Sequence, residues 1–391
     1  MTDVEINVYR LRHVDDVVPA ARALSARRGS QSIHLRLDEL STESRIDPVA
    51  GSLLAWILCT RARRPDLHVV APRNEGLLRQ LARVGFWFAL AQRPGPTTLA
   101  GAPAGEGRLF EFPPEWTKLE PWQGHWQPSE RDFRSRALGA PSNEPPSPWE
   151  VIQHEFIAFK NPHLGVERSR LASEVNDNVV MHWIRRLVGE EGARRDTGSD
   201  ALLAATGTTV RELIYNFAVH PFSTLTTAPP QHRDVPKDRQ IGYVALYVTR
   251  GGGDQSFDRL HIVVSDCGHG IPATLRPKLP RSVNAETRDA DDELVRRMLK
   301  GQLPNYGRAE GRGFIRLVDL ADRHNGTLVV VTAAQDGVSG TLVATVQQRD
   351  GVTHVDVEAL GQLDVDGTIV RMMLPLVADE ASSPAGRVGP P

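Results

Sequence analysis

Val210-Arg211-Glu212-Leu213-Ile214-Tyr215-Asn216-Phe217-Ala218-Val219-His220 sets an acid, an amide and an imidazole four residues apart. On an α-helix that spacing puts all three on one face. Leu213 and Phe217 form a second row at the same spacing, Thr208 or Thr209 is placed to cap the start, and Pro221 forbids continuation. The pattern predicts one short helix that presents Glu212, Asn216 and His220 together. On an isolated helix such a row is most simply a solvated polar stripe. The glycine pattern downstream gives it another meaning.

Three glycine-bearing turns follow in order: Val264-Ser265-Asp266-Cys267-Gly268-His269-Gly270-Ile271-Pro272, then Gly307-Arg308-Ala309-Glu310-Gly311-Arg312-Gly313-Phe314, then Gly367-Thr368-Ile369-Val370. Each alone is a weak signal. In this order and spacing, with the Glu212 helix ahead of them, they resemble the four ATP-site boxes of the GHKL superfamily, which includes DNA gyrase, the large heat-shock chaperone, MutL and the histidine-kinase catalytic domain. The resemblance spans residues 150 to 378 or so. It implies an α/β sandwich of the Bergerat type, with a mixed sheet covered by helices on one face, and a site for ATP and Mg²⁺.

The roles carried over by that resemblance each have a chemical reason. Asp266, at a strand end, supplies the carboxylate that accepts the exocyclic amine of adenine. Gly268 and Gly270 have no side chains, so backbone can approach the base, and Ile271 closes the same turn. Asn216 offers an amide oxygen, a hard ligand suited to Mg²⁺. Glu212, one turn earlier, is positioned to polarise water for attack on the terminal phosphate. His220 either faces phosphate or ends the helix. Gly311 and Gly313 let backbone amides wrap phosphate oxygens, with Arg308 or Arg312 adding charge, and Thr368 reaches the adenine edge through a water. The stretch from Pro272 to Gly311, with its amphipathic piece Asp291 to Leu299, is expected to be an ATP lid with few buried contacts. A helix from Phe314 to Arg323 would then aim its N-terminal amides at the lid mouth.

The bounds fit this outline. At 391 residues the chain has room for two domains, each with its own core. A hydrophobic share of 40% and a net charge of −2 are ordinary for a soluble protein and give no global attraction to nucleic acid or anionic membrane. The two cysteines, Cys59 and Cys267, do not make a disulfide framework. No signal-like or spanning apolar run is present, so a cytoplasmic location is expected.

Residues 1 to 98 alternate strand and helix signals. Glu5 to Val14 and Ser32 to Leu37 read as strands, Asp15 to Arg28 as a helix, Val49 to Leu58 as a helix, Leu67 to Val70 as a strand, and Leu77 to Val84 as a helix. That order implies an α/β layer with crossover connections. The text Ile33-His34-Leu35-Arg36-Leu37-Asp38, then Ile46-Asp47, then His68-Val69-Val70-Ala71-Pro72 leading to Leu81-Ala82-Arg83-Val84-Gly85-Phe86, resembles the STAS domain of anti-sigma-factor antagonists. In that family an Asp-Ser pair opens the middle helix and the Ser accepts phosphate. Here Asp47 is followed by Pro48, so the resemblance implies a docking version that takes no phosphate at that place, although Ser41, Thr42, Ser44 and Ser52 supply hydroxyls nearby.

Residues 99 to 148 are dense in Pro and Gly yet carry Trp116, Trp122 and Trp126, with Trp149 just beyond, which predicts a connector wrapped against a domain. Residues 149 to 378 form the nucleotide domain, in which Glu150 to Phe159 and Ser169 to Val188 read as helices. Strands are expected at Ile241 to Val248, Leu260 to Ser265, Thr327 to Thr332, Thr341 to Gln347 and Thr368 to Leu374, with a Gly251 to Gly253 hairpin, and residues 379 to 391 are expected to be a disordered tail. His154-Glu155 superficially matches a histidine-kinase phosphoacceptor box, but its proline is displaced to Pro162 and no dimerisation hairpin fits before Asn216.

Three functions compete: an ATP-dependent switch with slow hydrolysis, an anti-sigma-type protein serine/threonine kinase, and, ranked last, a histidine kinase. The expected partners are an adenine nucleotide and a protein docked through the STAS-like domain. Neither nucleic acid nor membrane is expected, and a homodimer stays open.

Overall fold

The computed structural model describes residues 3–27, 31–41, 46–61, most of 66–100, 110–111, 151–160, 206–213, 241–249, 259–266, 268–287, 290–303, 312–335, 340–361, 363 and 367–375.

The first unit is β1 (Val4–Asn7), a helical turn at Val14–Val17 running into α1 (Val18–Ala26), β2 (Ile33–Arg36), α2 (Pro48–Arg61), β3 (Leu67–Val70), α3 (Phe86–Ala91), β4 (Thr97–Ala100) and β5 (Phe110–Glu111). The sheet order follows the chain, β1-β2-β3-β4-β5, with the first four strands parallel and β5 antiparallel to β4. Parallel neighbours need a crossover, and α1 and α2 supply two. Ile33 and Leu35 of β2 and Leu67 and Val69 of β3 are buried, while His34, Arg36, His68 and Val70 between them are partly open. α2 starts where Asp47 Oδ1 accepts the amides of Val49 (2.9 Å) and Ala50 (3.1 Å), and Pro48 takes the first helical position, which needs no amide. The sheet runs through β4 and β5, past the boundary expected at 98.

The second unit is β6 (Val151–Lys160), a helical stretch over 206–213, β7 (Ile241–Thr249), β8 (Arg259–Asp266), α4 (Ile271–Leu275), α5 (Arg281–Glu286), α6 (Asp291–Leu299), α7 (Arg312–Arg323), β9 (Thr327–Ala333), β10 (Thr341–Arg349), β11 (Val352–Leu360) and β12 (Thr368–Pro375). Its sheet order is β11-β10-β9-β12-β8-β7-β6, and every pair is antiparallel, so the expectation of a mixed sheet is corrected. The physical reason is local: hairpin neighbours pair directly, and β12 inserts between β8 and β9 running opposite to both.

Three further expectations change. The segment Glu150 to Phe159, expected as a helix, lies almost wholly in strand β6, paired antiparallel with β7 and carrying a register shift between Val151 and Gln153. The helical stretch at 206–213 begins ahead of Thr208 and Thr209, so neither residue caps it, and Thr209 is fully buried inside it. The expected lid is largely a packed helical layer. Leu294, Val295, Met298 and Leu299 of α6 are buried, and the buried carboxylate of Asp291 accepts from the Arg276 guanidinium and from the Gln335 amide. Of that stretch, 288–289 and 304–311 lie outside the described residues. Ser169 to Val188, the Gly251 to Gly253 hairpin, the connector after Glu111 and the tail also lie outside them.

The two units share a core. Val244, Leu246, Ile262, Val264, Leu328, Val330, Val370 and Met372 face the layer of α4, α6 and α7. Ala245, Val263, Val329, Val331 and Ile369, on the opposite face, belong to the same apolar cluster as Leu53, Leu54 and Trp56 of α2. Helices therefore cover both faces of the antiparallel sheet rather than one; the second unit has an apolar cluster of its own beneath its helix layer, whereas the first unit's cluster continues onto the sheet's other face. Among the described residues no helix is long and apolar enough to cross a membrane.

Candidate functional site

β8 ends in Asp266, and the register sets Asp266 opposite Thr368 of β12, which in turn stands opposite Thr332 of β9. These three polar residues form a row across adjacent strands at one end of an aliphatic sheet. Asp266 is 6% exposed. Its Oδ1 accepts the Gly268 amide at 2.8 Å, and the Thr368 amide also donates to the carboxylate. Burial pushes the carboxyl up to about 7, against the pull of those two amides.

The turn after Asp266 is fitted against β9. Gly270 has φ +84°, and a Cβ there would sit 2.9 Å from the Ala333 carbonyl oxygen and 3.0 Å from Thr332 Oγ1, so only glycine fits. The Ile271 amide donates to Thr332 Oγ1 at 2.7 Å, and that oxygen lies 3.5 Å from Thr368 Oγ1. His269 is buried in the same turn. The sequence points to Asp266, Gly268, Gly270, Ile271 and Thr368, and the fold brings all five to this corner. It does not point to Thr332. The available signal was a hydroxyl ending the run Leu328-Val329-Val330-Val331, a place where an unmatched polar group is costly.

The other expected residues gather elsewhere or lie beyond view. Glu212, near the end of the described part of its helix, pairs with Arg316 of α7. Gly313 is buried in the first turn of α7, the helix that follows the second glycine turn. Arg312 opens α7, and its side chain lies outside the described residues, as do Asn216, His220, Arg308 and Gly311.

No protein-family model matches the chain, and neither a characterised protein nor a solved structure does. Geometry therefore has to carry the functional argument. A buried carboxyl held by two backbone amides, two threonine hydroxyls and a glycine turn packed on β9 meet at this end of the sheet.

Proposed function

We propose that the second unit binds Mg-ATP as a GHKL-type module, and that the chain is a nucleotide-dependent switch with slow hydrolysis whose first unit is a STAS-like docking domain. The observation that carries this is Asp266: a carboxyl buried at a strand end, beside a turn where a Cβ has no room. The adenine amine would donate to it, while Gly268 would let the ring lie against backbone and Gly270 holds the turn tight against β9. Glu212 would orient the attacking water and Gly313 would open the phosphate side. Mg²⁺ would be held by Asn216 and would neutralise phosphate charge.

Two observations favour a switch over the kinase alternatives. Asp47 is engaged in capping α2 and in an ion pair with Arg371, and Pro48 beside it offers no hydroxyl. His154 sits in β6 opposite Tyr247, in a sheet rather than on a phosphoacceptor helix. Titration calorimetry with ATP, ADP and GTP tests the site. Adenine nucleotides should bind one per chain and GTP poorly, and Asp266→Asn should weaken ADP by about 1–3 kcal/mol, the cost of a lost hydrogen bond to a charged group. Equal affinity for ATP and GTP in the wild type rejects the assignment.

A further inference from the structure

We propose that Trp56 of the first unit is a positioning residue for the Asp266 corner, acting through Ser265 from the opposite face of the sheet. Its last link, from Asp266 to a bound base, rests on the nucleotide function proposed above; the link from Trp56 to Asp266 does not.

Successive residues of a strand point to opposite faces. On β8, Ile262 and Val264 face the helix layer, so Asp266 does too, whereas Val263 and Ser265 face the first unit. Ser265 is fully buried and stands beside Val263 and Ile369 on an otherwise largely apolar surface. The indole Nε1 of Trp56, itself 1% exposed, donates to Ser265 Oγ. Docking two apolar faces needs no such bond, because the hydrophobic effect has no direction. A buried N–H matched to one hydroxyl does have a direction, and it fixes where α2 lies over the strand end.

A second tie removes the remaining freedom. Arg371 of β12 pairs with Asp47, the residue that caps α2. Asp47 and Trp56 lie on the order of 13 Å apart along the helix at 1.5 Å per residue. One tie holds β12 and the other holds β8, the two strands whose ends carry Thr368 and Asp266. α2 is thus pinned at two points across the pair that forms the corner, and a shift of Asp266 toward or away from a ligand must pull on Ser265, one residue away. Among the described residues, His261, two residues before Val263 on β8, Arg371, Asp47 and His269 are ionisable groups around this path.

The test uses the full chain labelled with 5-fluorotryptophan, with the Trp56 resonance assigned by its loss in Trp56→Phe. Without nucleotide, the Trp56 resonance should titrate with a midpoint near neutrality, and Asp266→Asn should remove that titration. Mg-ADP should move the same resonance. Ser265→Ala should abolish both responses and weaken ADP at least threefold while the chain stays folded, and combining it with Trp56→Phe should cost no more than the worse single change. A titration that persists in Asp266→Asn, or a Trp56 resonance indifferent to both pH and bound ADP, overturns the proposal. If the pH response behaves as stated but ADP does not bind, the Trp56 link stands and the nucleotide function fails.

Discussion

A carboxyl buried against two amides is close to changing charge at neutral pH, and at Asp266 that single residue sets two opposing trends. The folded chain keeps the proton from an ordinary value of 3.8 up to about 7, so it holds more proton than the unfolded chain across that window. The protonated form's contribution to stability is full below 3.8 and lost as pH rises through about 7. Melting temperature should therefore fall between pH 5 and 8 in the wild type and change less in Asp266→Asn. Adenine affinity should run the other way, rising with pH by at most about tenfold per unit until the carboxylate is formed. Calorimetry at pH 6, 7 and 8 checks the sign, and a flat profile counts against Asp266 as the acceptor. Thr332→Val removes the acceptor for the Ile271 amide and should weaken ADP by about 1–2 kcal/mol, whereas Thr332→Ser keeps it and should bind as the wild type does. Glu212→Gln should leave ADP binding intact and slow ATP hydrolysis by roughly 10²–10⁴-fold, read by phosphate release; hydrolysis at the wild-type rate would make Glu212 structural.

The elements show which patterns a sequence carries openly. Strands β7, β8, β9, β10 and β12 are legible because aliphatic runs between turn residues have few other uses. β11 is not, because it is an edge strand whose exposed face carries His354, Asp356 and Glu358. Its signal was the Asp350-Gly351 turn, where both residues have positive φ as a tight hairpin requires. β6 was masked by Ile152, Phe156 and Phe159 at helical spacing, which pairing with β7 overrides. The three helices between Ile271 and Leu299 read as a lid because two glycine turns flank them, yet Leu294, Val295, Met298 and Leu299 repeat at helical spacing and all four are buried. Leu294→Ala should destabilise by about 2–5 kcal/mol in urea titration, and limited proteolysis should spare 271–303 with or without nucleotide. In the site, Asp266 and its glycines are legible because the turn is contiguous. Thr332 and Trp56 are not, because they arrive through strand register and through contact between units.

At the scale of the molecule, one apolar cluster runs through both units, which couples their stabilities. Ala245, Val263, Val329, Val331 and Ile369 are covered by the first unit, so removing residues 1–111 would expose them as a continuous apolar face. The intact chain should melt in one calorimetric transition, and the truncated one should aggregate; two separated transitions, or a soluble truncated second unit, would show that the back face does not need its cover. The position of β12 has a further consequence, felt before the protein is finished. Last of the described strands in the chain, it sits inside the sheet between β8 and β9 and carries both Thr368 and Arg371. During synthesis the ribosome must deliver nearly all of the described sequence before the Asp266 corner has its third wall or α2 its second anchor. Until then α2 has only one of its two ties, the Trp56–Ser265 bond, and the apolar face opposite the first unit lacks Ile369, so part of that surface stays uncovered on the unfinished chain.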